Sequence, residues 1–311
     1  MNLKKGISLI VCCYNSEERL TDTLKHLSKQ DLDSDYPAEI IVVDNNSSDN
    51  TSFRARELWD IYGAPYPLFV IEEREPGLSN ARRAGVLAAQ YEYGVFCDDD
   101  NWLRHDYLIQ TIKLFDENPG AGVLGGASIP VSDVSLPPWF YTKAGSFAVG
   151  VQADESGDIT SRKYLWGAGM AFRTEVLKAI YDDNIVPLVS GRKGNILTSG
   201  DDGEISAWYI FSGYRLFYSD KLIFKHYMPA ERLTDEYFNN FFNRSYPTDW
   251  ATYSSYLTAK YMLLKKGSGF TKTVVRILKI LYSLGYLLVN SKSALRVIKV
   301  ESKIKKLTSV F

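Results

Sequence analysis

Apolar residues along the first hundred positions gather into short unbroken runs rather than alternating ones. Ile7 to Cys13, Glu39 to Asp44, Leu68 to Glu72 and Gly94 to Cys97 are each almost wholly apolar. Such runs mark strands buried on both faces, as in a parallel sheet covered by helices. Leu20, Leu24 and Leu27 recur at helical spacing after the first run, and a second helix is expected from about Ser79 to Tyr91. Asn15, with Glu18 three residues on, is expected to cap the first helix. Strand, helix, strand, helix predicts an α/β fold with a doubly wound, mostly parallel sheet. Beyond about residue 125 the pattern gives way to Gly, Pro and aromatic-rich connections. A strand near Tyr164 to Phe172, a helix near Gly203 to Ser212 and a strand near Leu216 to Tyr218 follow.

Composition narrows the class. With 311 residues, 45% hydrophobic and 23% charged, the chain is neither disordered, collagen-like nor a polytopic membrane protein. Three cysteines, two of them the adjacent Cys12 and Cys13, make no disulfide framework and suit a reducing compartment. The apolar run after Lys4 and Lys5 is too short for a secretory signal, and no small-residue cleavage site follows it. Aromatic residues reach 14%, which fits a sugar-lined surface, a membrane-facing one or an aromatic core. The net charge of −1 is a sum of opposites: residues 251–311 hold twelve basic side chains and one acid, so they carry +11 and the rest −12.

The candidate chemistry sits at strand ends. In open α/β sheets ligands bind at the carboxyl ends of the strands. Here those ends read Tyr14-Asn15, Asp44-Asn45-Asn46 and Asp98-Asp99-Asp100. Three adjacent carboxylates repel unless a cation neutralises them, and Mg²⁺ or Mn²⁺ takes one or two carboxylates plus water and phosphate. A solvated acidic turn would use the same residues. Asp44 can accept the N–H of a base or cap an Asx-turn. Arg82 and Arg83 can pair with a diphosphate, pair with the acidic run or lie on the surface.

Ser8-Leu9-Ile10-Val11-Cys12-Cys13-Tyr14-Asn15, then Val43 to Thr51, Gly77-Leu78-Ser79-Asn80-Ala81-Arg82 and Phe96-Cys97-Asp98-Asp99-Asp100 resemble, in order and spacing, family 2 glycosyltransferases of GT-A fold. Gly167-Ala168-Gly169-Met170-Ala171-Phe172-Arg173, Gly200-Asp201-Asp202-Gly203-Glu204 and Gly213-Tyr214-Arg215 continue the resemblance, which covers about residues 7–235. It implies an inverting transfer from a nucleotide sugar, a UDP-sugar above all, with a divalent metal. It puts Cys13, Tyr14, Asn15, Asp44, Arg82, Asp98 and Asp99 on the donor, Asp44 at the base, Arg82 near the diphosphate and Asp98 at the ribose. Asp100 would bind the metal, with His226 where some relatives supply a further ligand. Asp202 would be the general base, and Asp201 replaces the family's usual Glu. Arg83 stands where Asn is commoner. Trp139, Trp166, Arg192 and Asp201 are candidate acceptor or donor contacts.

The implied organisation is a catalytic domain over 1–235, with a donor half to about 125 and an acceptor half over 126–235, then a helical tail over 236–311. Val274 to Val289 is apolar over only 16 residues, short of the roughly 20 a bilayer crossing needs. Arg276, Lys279, Ser283 and Asn290 fall on one face of it. Next, Lys292, Arg296, Lys299, Lys303 and Lys306 line one stripe, and Val297, Val300, Ile304 and Leu307 another. Basic amphipathic helices suit an anionic membrane. They also suit packing on an acidic body or a dimer contact. The expected partners are therefore a nucleotide sugar, a lipid-linked or surface-glycan acceptor and, through residues 270–307, the inner face of the cell membrane, with no nucleic acid. A sugar-phosphate nucleotidyltransferase or a dehydrogenase needs a Gly-rich turn after the first strand, and no Gly lies between Gly6 and Gly63. A catalytically silent nucleotide-sugar-binding protein at the membrane is the remaining alternative.

Overall fold

The computed structural model describes residues 3–32, 35–189, 191–192, 200–242, 248–264 and 270–308. The first half runs β1 (Lys4–Cys13), α1 (Leu20–Leu27), β2 (Ala38–Asp44), α2 (Thr51–Ile61), β3 (Leu68–Glu72), α3 (Leu78–Ala88) and β4 (Tyr91–Asp98). The second runs β5 (Asn101–Leu103), α4 (Tyr107–Glu117), β6 (Ala121–Val131), α5 (Pro138–Lys143), β7 (Gly157–Asp158), β8 (Ala171–Arg173), α6 (Thr174–Asp182), α7 (Asp201–Phe211) and β9 (Arg215–Tyr227). Helices α8 (Asp235–Phe242), α9 (Thr248–Leu264), α10 (Phe270–Val289) and α11 (Ser291–Thr308) close the described chain.

One sheet takes the order β3-β2-β1-β4-β8-β6-β9-β5, with β7 also on β9. β3, β2, β1 and β4 pair in parallel, as the apolar runs predict. The other half is mixed: β8 runs antiparallel to β4 and β6, β5 antiparallel to β9, and β6 parallel to β9. Alternate residues of β1 feed two cores. Leu9 and Val11 pack with α1 and α2, whereas Ile10 packs with α3, α6 and α7. Both faces are dry, which is why the strand is apolar throughout.

Several expectations need correction. Asn15 caps no helix; its φ is 49° and its side-chain oxygen accepts the Ser48 N–H at 2.8 Å, while α1 starts only at Leu20. It ties two strand-end loops together. α3 ends at Ala88 rather than Tyr91, because the Gln90 N–H is held 2.7 Å from buried Glu39 and Tyr91 already belongs to β4. The strand expected over Tyr164 to Phe172 shrinks to β8. Gly169 at φ +67° turns the backbone out of the sheet just before it. β6 lies where only connections were expected, since its glycines mask the strand pattern.

The C-terminal helices divide. Tyr253 and Leu257 of α9 and Val297, Val300 and Ile304 of α11 are buried in the same core as Ile10 and Trp208. The apolar stripe of α11 is therefore core. Among the described residues no single helix is long and apolar enough to cross a membrane, and α10 and α11 meet at 103°. Lys265 and Lys266 lie outside the described residues.

Candidate active site

Parallel pairing brings the strand ends together. Cys13 of β1 lies opposite Asp44 of β2, and Cys12 opposite Asp98 of β4. Above them opens a cleft of about 410 Å³ lined by Cys13, Tyr14, Arg82, the three carboxylates Asp98 to Asp100, Trp166, Arg192, Asp201, Asp202 and His226. Most of the residues singled out in the sequence thus meet in one place.

Within the acidic run the three carboxylates have different neighbours. Asp100 is buried, with Oδ1 3.3 Å from His226 Nε2 and 3.0 Å from Asn101 Nδ2, and Oδ2 3.0 Å from Arg232 Nη1. Burial opposes its charge, but His226 and then Arg232 hold its carboxyl well below the usual range. Pairing of β5 with β9 sets Asn101 opposite His226 and so delivers that imidazole. Asp99 turns the other way: Arg19 Nη2 lies 2.7 Å from its Oδ2, and Ser16 Oγ donates to the same oxygen. Its carboxylate fixes the strand-end turn. Asp98 stays about 29% exposed toward the cleft; burial pushes its carboxyl up against the pull of Arg82, and Asp100 adds to the rise.

On the opposite wall Arg82 is buried to 3%. Its Nη1 donates to Asp201 Oδ2 at 2.6 Å, its Nη2 lies 3.7 Å from Asp98, and the guanidinium sits over the Phe96 ring. A Cβ on Gly167 would fall 2.4 Å from Nη2, so only glycine lets the two approach. Asp201 is thus Arg82's partner rather than a free acceptor contact. Asp202, the second residue of α7, accepts the Gly203 N–H at 2.8 Å and the Gly167 N–H at 3.3 Å. Burial, then the neighbouring charge of Asp201, raises its carboxyl to about 6. A raised carboxylate in a cleft is poised to accept a proton near neutral pH.

The sequence comparison decides the family. The glycosyl transferase family 2 model matches residues 8–180. The chain belongs to glycosyltransferase family 2. Among curated relatives, the poly-beta-1,6-N-acetyl-D-glucosamine synthase of Staphylococcus epidermidis is 35% identical over 123 residues, 39% of this chain and 28% of the relative. The enzyme of that name from Staphylococcus aureus strain COL is 29% identical over 125 residues, with the same coverages. The match thus spans under a third of these relatives' length. The mixed sheet and its helices have the fold of solved GT-A glycosyltransferases. S. aureus TarS 1-349 in complex with UDP-GlcNAc aligns with TM-score 0.55 at 18% identity, over 91% of this chain and 73% of that one. Mannosyltransferase PcManGT from Pyrobaculum calidifontis, in complex with GDP-Man and Mn²⁺, aligns with TM-score 0.50 at 17% identity, over 99% and 87%.

In this family 2 chain some expected contacts lie elsewhere. Asp44 is outside the cleft lining, and its two oxygens hold the following loop and the start of α2: Oδ1 accepts the Ser47 N–H at 3.0 Å and Oδ2 the Ser52 hydroxyl at 2.6 Å. Trp139 is packed among Phe140, Phe147 and Phe238 beside α8 rather than in the cleft. Glu204 belongs to the architecture. Buried and raised to about 7 by that burial, it accepts the Leu188 and Val189 N–H groups, both at 2.9 Å, and the Tyr253 hydroxyl at 2.8 Å. Arg19, Arg232 and Tyr253 carry no motif, and only packing assigns them to the acids.

Among the described residues no three His, Cys, Asp or Glu side chains gather into a ready ligand set. Asp100 Oδ1 and His226 Nε2 nonetheless face each other, 3.3 Å apart. Two protein ligands suffice for Mg²⁺ or Mn²⁺ when diphosphate and water complete the shell. The residues present therefore fit such an ion, which Asp100 and His226 would hold. Cys12 is no competing ligand, because burial pushes its thiol up to about 12.

Proposed function

We propose that this glycosyltransferase transfers a sugar, with inversion, from a nucleotide sugar to a hydroxyl of a lipid-linked or surface-glycan acceptor. The observation that carries the reading is Asp202: a half-buried carboxylate of raised affinity for protons, in the same cleft as the Asp100–His226 pair. The strand-end wall of Cys13, Tyr14 and Asp98 would hold the nucleotide. Asp202 would take the acceptor hydroxyl's proton as that oxygen bonds the anomeric carbon and the sugar–phosphate bond breaks. Departure of the nucleoside diphosphate carries the bonding electrons away. A positioned base contributes about 10²–10⁴-fold to such a step. Asp100 and His226 would hold Mn²⁺ or Mg²⁺, which neutralises the developing diphosphate charge when bound. Arg82 would position Asp201 and Asp98 from behind rather than touch substrate.

A UDP-sugar is the proposed donor, supported by the UDP-GlcNAc bound in the TarS structure; the GDP-Man in the mannosyltransferase makes GDP-mannose the competitor to test. The curated synthases in the family support a polysaccharide product. The +11 segment at 251–311 supports a peripheral place on the anionic inner face of the cell membrane, with the catalytic region over 1–235 and the following helices as its anchor. Thermal shift with Mn²⁺ across UDP- and GDP-sugars tests the donor: a ligand at 100 times its Kd stabilises by about 2.7 kcal/mol. No shift with any nucleotide sugar, in a protein that melts cooperatively, would refute the reading.

A further inference from the structure

Helix α10 is built inside out. A surface helix normally turns its apolar stripe to the core and its polar one to water. Here Ser283 is 3% exposed, and Arg276 and Asn290 on the same face are half-buried toward the body. The opposite face presents Ile277, Leu278, Leu281, Tyr282, Leu288 and Val289 at 50–85% exposure. At 1.5 Å per residue this apolar face, from Ile277 to Val289, is about 18 Å long. Beyond the bend Leu295 and Ile298 of α11 are exposed as well. An exposed apolar helix face of this kind marks a contact.

The surrounding charge selects the occupant. Lys279, Lys292, Lys299 and Lys303 are exposed beside this face. The one acid of residues 251–311, Glu301, is buried and bonded to Lys260, Lys305 and Tyr256. A second copy of the chain would set one basic belt against another. An anionic bilayer surface would instead neutralise it. We propose that the outer face of α10, with Leu295 and Ile298, lies flat in an anionic lipid surface, and that the inner stripe of α11 takes no part because it is core. The inference rests on the membrane reading of the C-terminal helices and makes it specific. Lys163 donates to Thr258 of α9, and Trp166, three residues on, lines the cleft wall, so the C-terminal helices reach the segment that carries Trp166.

The full chain should sediment with vesicles of phosphatidylglycerol and phosphatidylcholine, and far less with phosphatidylcholine alone. Leu281→Asp with Leu288→Asp, at exposed positions, should lower partitioning roughly a hundredfold, and Lys292→Glu with Lys299→Glu roughly tenfold with a shallower salt dependence. UDP binding in solution should be the same in wild type and both variants. Wild type left in the supernatant, variants that bind unchanged, or a dimer that the leucine changes dissociate would each overturn the proposal. Failure of wild type to bind any nucleotide would instead count against the catalytic reading and leave the vesicle result standing.

Discussion

Arg82 Nη1 lies 2.6 Å from Asp201 Oδ2, a buried ion pair joining residues 119 positions apart. It couples the helix before the acidic run to α7, which opens with Asp201 and carries Asp202. Arg82 also faces Asp98, so one guanidinium neutralises two carboxylates from opposite walls.

Removing that guanidinium strands both charges. Arg82→Met should cost about 3–5 kcal/mol of stability, the usual penalty for breaking a buried pair. Arg82→Lys keeps the charge but not the fork, so a smaller loss is expected. Urea denaturation of the two variants checks the order. Equal stability to wild type would mean the pair is not closed in solution.

Asp202 also sets a pH dependence. Its carboxyl binds protons more tightly folded than unfolded, raised to about 6 from the ordinary 3.8. Its contribution to stability is therefore complete below the ordinary value and lost as pH rises through about 6. Catalysis runs the other way, because the base must be ionised. kcat/KM should climb with pH through about 6. A flat profile from about one pH unit below that value to about one above it would remove Asp202 from the role.

Glu204 lies two residues from Asp202, yet its contacts are structural. Tyr253→Phe removes the hydroxyl it accepts and should cost about 1–2 kcal/mol in thermal melts, with kcat within about twofold of wild type. A large fall in kcat at unchanged stability would assign Glu204 to the chemistry.

Asp100 has two neighbours of different chemistry, the His226 imidazole and the Arg232 guanidinium. His226→Ala should weaken Mn²⁺ binding by roughly tenfold or more, since it deletes a ligand candidate. Arg232→Gln frees Asp100 Oδ2 from a competing positive charge, so Mn²⁺ without nucleotide should bind more tightly. Manganese EPR titration reads both. Weaker binding in Arg232→Gln would make that arginine a support of the site rather than a competitor.

The parallel half of the fold was legible because a strand dry on both faces leaves an unbroken apolar run, as in Ile7 to Cys13. The mixed half was not. Glycines in β6 and the turn at Gly169 are read as connections by any local pattern. The cleft residues were legible as motifs, but their partners were not. Nothing adjacent to Asp99 announces Arg19, 80 positions away, and nothing adjacent to Asp201 singles out Arg82 over Arg83. Charge counting found the C-terminal asymmetry. Only packing revealed that α11 spends its apolar stripe on the core while α10 turns its own outward.

The most direct measurement is sugar transfer by Asp202→Asn with Mn²⁺ and the donor found by thermal shift. The substitution keeps size and removes the base. kcat should fall by about 10²–10⁴-fold while the Kd for UDP stays within about threefold. Transfer at near wild-type rate, or loss of UDP binding with the fold intact, would contradict Asp202 as the base.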